Sequence, residues 1–178
     1  MTPTRERASL QASVYNTLGN LHNNAGHWHD AIAAYQGHLA ICQEAGYRCR
    51  SGISYDNLGQ VYEQMGEATF DQAAEAYQAA LSIHQECQDP YLEALAWLSW
   101  AGLTQAQGQR QQALAHYLHA IDQFEALRSG ISTAEARAGF FATVANAYAH
   151  AILLAMELDD AALAFDLAER SRSRAFLD

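Results

Sequence analysis

The sequence predicts an all-α protein of helical hairpins, and three observations predict it. Only two prolines, Pro3 and Pro90, occur in 178 residues, and the long segments between single glycines are rich in Ala, Gln, Leu and Glu, which favour helix. Apolar residues recur at three- and four-residue steps, as in Tyr15, Leu18, Leu21, Ala25 and in Ile32, Tyr35, Leu39, while period-two runs bounded by turn residues are lacking. The third observation is an internal repeat.

In its first copy a large residue, Tyr15, is followed by Leu18-Gly19 and His22, then by Gly26, Ala31 and Tyr35. The second reads Tyr55, Leu58-Gly59, Tyr62, Gly66, Ala73 and Tyr77, with two extra residues in the turn after Gly66. A third copy is Trp97, Trp100-Ala101, Thr104, Gly108, Ala113 and Tyr117, and a fourth, weaker one is Ala145, Tyr148-Ala149, Ile152, Ala161 and Phe165. Small residues at Gly19, Gly59, Ala101 and Ala149, and at Ala31, Ala73, Ala113 and Ala161, let paired helices approach closely. Tyr35, Tyr77, Tyr117 and Phe165 are then expected to wedge between neighbouring repeats, burying about 150–250 Å² each.

Helix ends follow from local chemistry. Asp89-Pro90 reads as an N-cap with proline at the first helical position, Ser132 with Glu135 as a capping box, and Asp71 and Asp160 as starts of apolar helical runs. The expected helices are roughly 8–25, 29–45, 50–66, 70–88, 90–107, 110–128, 132–157 and 160–177.

This pattern resembles the tetratricopeptide repeat, with which it shares the large residue, the Leu-Gly pair and the Ala followed four positions later by an aromatic. The resemblance covers about residues 12–175, as repeats of about 12–46, 52–88, 94–128 and 138–175 in one domain spanning 1–178. It implies a right-handed α-α superhelix of about four hairpins. Leu18 to Leu58 is 40 positions and Leu58 to Trp100 is 42, against ~34 in the standard repeat. The longer period resembles the long-repeat subclass found in bacterial signalling proteins and in cargo-binding or polarity adaptors. Residues 164–178, ending Ala-Glu-Arg-Ser-Arg-Ser-Arg-Ala-Phe-Leu-Asp, resemble the last repeat helix before a CHAT, caspase-like peptidase domain. By that resemblance the chain is a piece of a longer protein with an effector domain after residue 178.

Composition narrows function. Twenty acidic against ten basic side chains give a net charge of −10, which repels nucleic acid and anionic membrane surfaces at long range. All ten basic residues are arginine, which removes Schiff-base chemistry, a lysine general base and a phosphate-loop lysine. The N-terminal segment lacks the apolar core of a secretory signal, and the most apolar stretch, Tyr148–Leu158, falls short of the ~18 uninterrupted apolar residues of a membrane span. With three cysteines, an odd count, a reduced cytoplasmic setting is expected, in which Cys42, Cys49 and Cys87 act as small buried hydrophobes.

No catalytic set, cofactor site or metal site is recognised. His22, His27 and His29, and His116 with His119, have no Cys or carboxylate at ligand spacing. Trp97 and Trp100 fall on core slots. Arg170, Arg172 and Arg174 suit the end of a helix, where cations are favoured.

The resemblance implies that the first helix of each repeat lines a concave face, so its non-core positions form the ligand groove. These are Asn16, Asn20, Asn23 and Asn24 in repeat one, continued by Asp56, Asn57, Gln60, Glu63 and Gln64 in repeat two. Asparagine is a poor helix former, yet its amide offers both donor and acceptor to a peptide backbone. A clamp for acidic peptide tails would need basic residues, but its positions hold Asn16, Leu95 and Ser99. The expectation is a non-enzymatic scaffold that binds a neutral or basic peptide or protein segment, with self-association without a peptide ligand as the alternative.

Overall fold

The computed structural model describes residues 5–127 and 134–175. In order, the α-helices are α1 (Arg5–Asn24), α2 (Trp28–Ala45), α3 (Arg48–Met65), α4 (Phe70–Glu86), α5 (Pro90–Ala106), α6 (Arg110–Leu127), α7 (Ala134–Glu157) and α8 (Ala161–Ala175). The described residues contain no strand. The two extra residues after Gly66 are taken up by a short 3-10 turn, Glu67–Thr69. Pro90 opens α5, and the Asp160 carboxylate accepts the Leu163 backbone N–H at 3.0 Å. Asp71 lies one residue inside α4, behind Thr69. The capping box expected at Ser132 and Glu135 lies outside the described residues, as do the Arg174 side chain and the expected helix end at 177.

The chain divides at Asp89–Pro90 into two compact units. In the first, α1 pairs with α2 and α3 with α4, while α2 packs on α3. Its core joins Ala31 and Tyr35 to Leu58, Val61 and Ala76. In the second, α5 pairs with α6, α6 packs on α7 and α7 on α8. One cluster there runs from Ala94 and Ala101 through Tyr117, Ile121 and Phe124 to Tyr148, Leu154 and Leu167.

The small residues of the repeat have a direct steric cause. A Cβ on Gly19 would stand 2.4 Å from the Tyr35 ring, and one on Gly59 would stand 2.6 Å from the Tyr77 ring. Each tyrosine therefore lies against the backbone of its own hairpin partner, a close approach inside the hairpin where a wedge between repeats was the expectation. Tyr35 does both, because it also joins the cluster with Leu58 and Val61 on α3. Two further close approaches use the same device: the Tyr15 ring would meet a Cβ on Gly37 at 2.7 Å, and the His84 ring one on Gly52 at 2.5 Å.

The fourth copy departs from the expectation. Ala149, Ala161 and Phe165 are exposed, Phe165 to 69 %. The buried face of α8 instead carries Ala164 and Leu167, and that of α7 carries Ala147, Tyr148, Ala151, Leu154 and Ala155. In alanine-rich helices several phases place a small residue against the neighbour, and the face that α8 turns to the second unit's core carries Ala164 and Leu167. In the first copy, Leu18 and Tyr15 are exposed to 40 % where Leu58 of the second is buried, because α1 packs on α2 and only weakly on α3 whereas α3 is flanked by both α2 and α4.

The cysteine expectation is also corrected. Cys49 and Cys87 form a disulfide with Cα atoms 5.8 Å apart, leaving Cys42 as a free, buried thiol. Antiparallel pairing explains the meeting, since the start of α3 and the end of α4 lie at the same end of one hairpin. The hydropathy expectation needs a correction too: residues 139–157 of α7 are long and apolar enough, by length and composition, to cross a membrane. His150 and small residues break up its apolar stretch, and its inward face packs in the second unit's core.

Tyr77 is 1 % exposed, so Tyr77→Ala should destabilise by about 3–5 kcal/mol. Phe165→Ala, at a surface site, should stay within about 0.5 kcal/mol. Urea unfolding of the two variants checks the assignment, and equal effects would contradict the phase described for α8.

Candidate functional site

The polar stripe of the first unit is built on α1 and α3, which touch only weakly. Spacing of three and four residues puts Asn16, Asn20, Asn23 and Asn24 on one side of α1, and Asp56, Asn57, Gln60, Glu63 and Gln64 on one side of α3. Two amide bridges join the helices: Asn57 Nδ2 donates to Asn16 Oδ1 at 3.1 Å, and Asn23 Nδ2 donates to Gln60 Oε1 at 3.4 Å. Asn23 is buried, Asn16 and Asn57 half-buried, and Asn20, Asn24, Gln60 and Gln64 exposed.

The other members are tied to the core beneath. Tyr35 donates its hydroxyl proton to Asn20 Oδ1 at 2.7 Å, and Tyr77 donates to Glu63 Oε2 at 2.8 Å. The same relation recurs in the second unit, where Tyr117 donates to Gln105 Oε1 at 3.1 Å. Burial pushes the Tyr35 hydroxyl up to about 12. Burial, reinforced by the Glu63 carboxylate, drives Tyr77 higher still, so both phenols remain donors. Burial also raises Glu63, opposed by the Tyr77 hydrogen bond.

Asp56 pairs with His84, Oδ2 to Nε2 at 2.8 Å. Its carboxyl is raised by burial against the opposing pull of His84. Asp56 Oδ1 and Asn23 Oδ1 are buried acceptors without a donor among the described residues. Nothing in the local sequence marks this pair, since His84 is 28 positions away on α4; the only signal is Gly52, whose missing side chain admits the His84 ring.

Below the stripe, His38 Nδ1 bonds Ser54 Oγ, and Cys42 Sγ lies 3.6 Å from His38 Nε2. Burial raises the Cys42 thiol, with Arg50 opposing, and burial together with Arg50 lowers His38. Both shifts favour neutral forms, so the trio has the character of a hydrogen-bonded core chain rather than a thiolate–imidazolium nucleophile. A cavity of about 320 Å³ beside it is walled by Cys42, Arg48, Ser51 and Tyr55, among others.

Elsewhere, Trp97 and Trp100 stack at 5.6 Å with the His116 ring 4.7 Å from Trp100, both indoles half-buried. Arg170 donates to Asp122 at 3.2 Å and Arg172 to Glu169 at 2.5 Å, so these two arginines are engaged within the second unit. The expectation that no carboxylate lies at ligand spacing from the histidines is corrected: the side chains of His22, His27 and Asp30 converge at the α1–α2 turn.

Comparison with known proteins shows what this geometry is similar to. Residues 10–86 match the tetratricopeptide repeat profile. That stretch of the first unit is similar to tetratricopeptide repeats. No curated protein matches the chain in sequence. Among solved structures, BtubC (BKLC) from P. vanneervenii aligns over 96 % of this chain and 65 % of its own, with a TM-score of 0.78 at 18 % identity. The apo form of RapI aligns over 91 % of this chain and 54 % of its own, with a TM-score of 0.74 at 13 % identity. A kinesin light chain from Podospora anserina, described as having TPR-like repeats, aligns over 97 % and 78 %, with a TM-score of 0.58 at 16 % identity. The chain has the all-α solenoid fold of these proteins, and it spans about two thirds of BtubC and about half of RapI.

Glu63 supplies a pH test. Its folded-state pKa lies above the ordinary value, so the stability that the protonated carboxyl contributes is fully present below the unfolded value of about 4.3 and is lost as pH rises through the folded value. Glu63→Gln keeps an acceptor for Tyr77 and removes this loss. Its stability relative to wild type should therefore increase between about pH 4.5 and about pH 7.5 in urea titrations; a difference independent of pH would contradict the assignment.

Proposed function

We propose that the chain is a non-enzymatic interaction scaffold whose first unit holds a peptide or protein segment on the α1–α3 polar face. Tetratricopeptide repeats are protein-interaction modules, and the observation that carries the reading to this face is the pair of amide bridges, Asn57–Asn16 and Asn23–Gln60. They make one continuous surface of two helices and leave Asn24 and Gln64 exposed at its edge. Amides of this kind pair with backbone N–H and C=O groups whatever the peptide sequence. Asp56 and Glu63, the one unsatisfied Asp56 oxygen and the chain's net charge of −10 favour a neutral or basic segment over an acidic one. The resemblance of residues 164–178 to the helix preceding CHAT peptidase domains supports a regulatory role toward such an effector.

Self-association is the second reading, and a specific observation favours it. Leu10, Val14, Leu18 and Leu21 are all at least 40 % exposed along α1, an apolar stripe with spacing suited to another helix.

A peptide array of neutral, basic and acidic extended sequences, followed by titration of the hits, tests the proposal. Asn24→Ala with Gln64→Ala should weaken the best hit by about 1–3 kcal/mol, from two hydrogen bonds of about 0.5–1.5 kcal/mol each, without moving the melting temperature. Unchanged peptide binding together with lost self-association would replace the peptide reading by the assembly reading.

A further inference from the structure

Outside the polar face, the turn between α1 and α2 gathers three ligand-bearing side chains. His22 sits in the last turn of α1, His27 is the residue that caps α2, and Asp30 lies in the first turn of α2. One imidazole nitrogen from each histidine and one carboxylate oxygen all lie within 4.8 Å of one another. From this geometry we infer a divalent zinc-class metal site formed by His22, His27 and Asp30.

The turn itself brings the histidines together. Gly26 takes a left-handed conformation at φ 72°, and the His27 backbone N–H closes onto the His22 carbonyl at 2.9 Å. This is the six-residue closure that ends many helices, and it places two residues five positions apart side by side, with ring centroids 6.1 Å apart. Asp30, three residues after His27, returns to the same side of the chain one helical turn later.

The donors are available. His27 stands at the N-cap of α2 without making a side-chain cap bond, and among the described residues none of the three side chains is hydrogen-bonded to protein. His27 and Asp30 are exposed and His22 is half-buried, so rotation about side-chain bonds suffices to draw the donors in. Around a tetrahedral ion with bonds of ~2.0–2.2 Å, neighbouring donor atoms stand roughly 3.3 Å apart. The approach from 4.8 Å is thus within reach of two exposed side chains.

The donor set selects the metal. Two imidazoles and one carboxylate suit zinc and other late first-row divalent ions, whereas magnesium and calcium require oxygen ligands throughout. Three protein ligands leave the fourth position to water or to a group from a partner. A metal there would clip the first hairpin closed at its turn.

The test is isothermal titration of the untagged chain with zinc chloride and, separately, with magnesium chloride, beside thermal melts at each concentration. The expected result is one zinc per chain, a zinc-dependent rise in melting temperature and no magnesium binding. His27→Ala and Asp30→Asn should each weaken zinc binding by about tenfold or more with unchanged circular dichroism, while His29→Ala, a neighbouring exposed histidine outside the cluster, should leave it within about twofold. Absence of zinc binding, or zinc binding that survives both His27→Ala and Asp30→Asn, would overturn the site. An equal loss in His29→Ala would show surface histidine capture instead and would overturn it as well.

Discussion

The first unit depends on an aromatic ring lying against backbone that has no side chain. Tyr35 on Gly19 and Tyr77 on Gly59 bring paired helices closer than any Cβ would permit, and that closeness buries each ring to 1 % exposure. Flat contact between ring and backbone gains dispersion along the whole ring, and the loss of glycine's backbone freedom, about 0.5–1 kcal/mol per helical position, is repaid by the ring's burial. At the corresponding positions of the second unit, Tyr117 and Ala101 are both buried in one core cluster.

A phenol rather than a phenyl ring links this packing to the surface. The ring fills the core while its hydroxyl emerges to meet Asn20, Glu63 or Gln105. Core positions thereby fix the rotamers of the residues that compose the polar face. Removing the hydroxyl would leave an acceptor on that face without its donor, and the face would lose definition before the fold lost its stability. One residue type is thus used twice over, inside and outside.

How much of this is legible in the sequence depends on how local the cause is. The helix boundaries, the Pro90 start, the paired glycines and the tyrosines at 35, 77 and 117 are all set by spacing along single helices, and periodicity reads spacing directly. Phe165 and Ala149 depart from the periodic pattern because an alanine-rich helix offers several near-equivalent faces, and only the packing neighbour chooses between them. The Cys49–Cys87 bond, the His84–Asp56 pair and the meeting of Asp30 with two histidines depend on which helix ends coincide in space. Antiparallel pairing would bring Cys49 and Cys87 together once α3 and α4 are recognised as one hairpin, but an odd cysteine count conceals it. The amide stripe was visible as residues but not as a network, since a bridge such as Asn57 to Asn16 spans 41 positions.

The double-mutant cycle between Gly59→Ala and Tyr77→Leu tests the central claim most directly, because it asks whether the two residues exist for one another. If the ring sets the requirement for glycine, Gly59→Ala alone costs about 1–3 kcal/mol from overpacking and little or nothing once Tyr77 is leucine, giving a coupling of about 1 kcal/mol or more. Effects that add to within about 0.3–0.5 kcal/mol would show the two sites to be independent and would contradict the account.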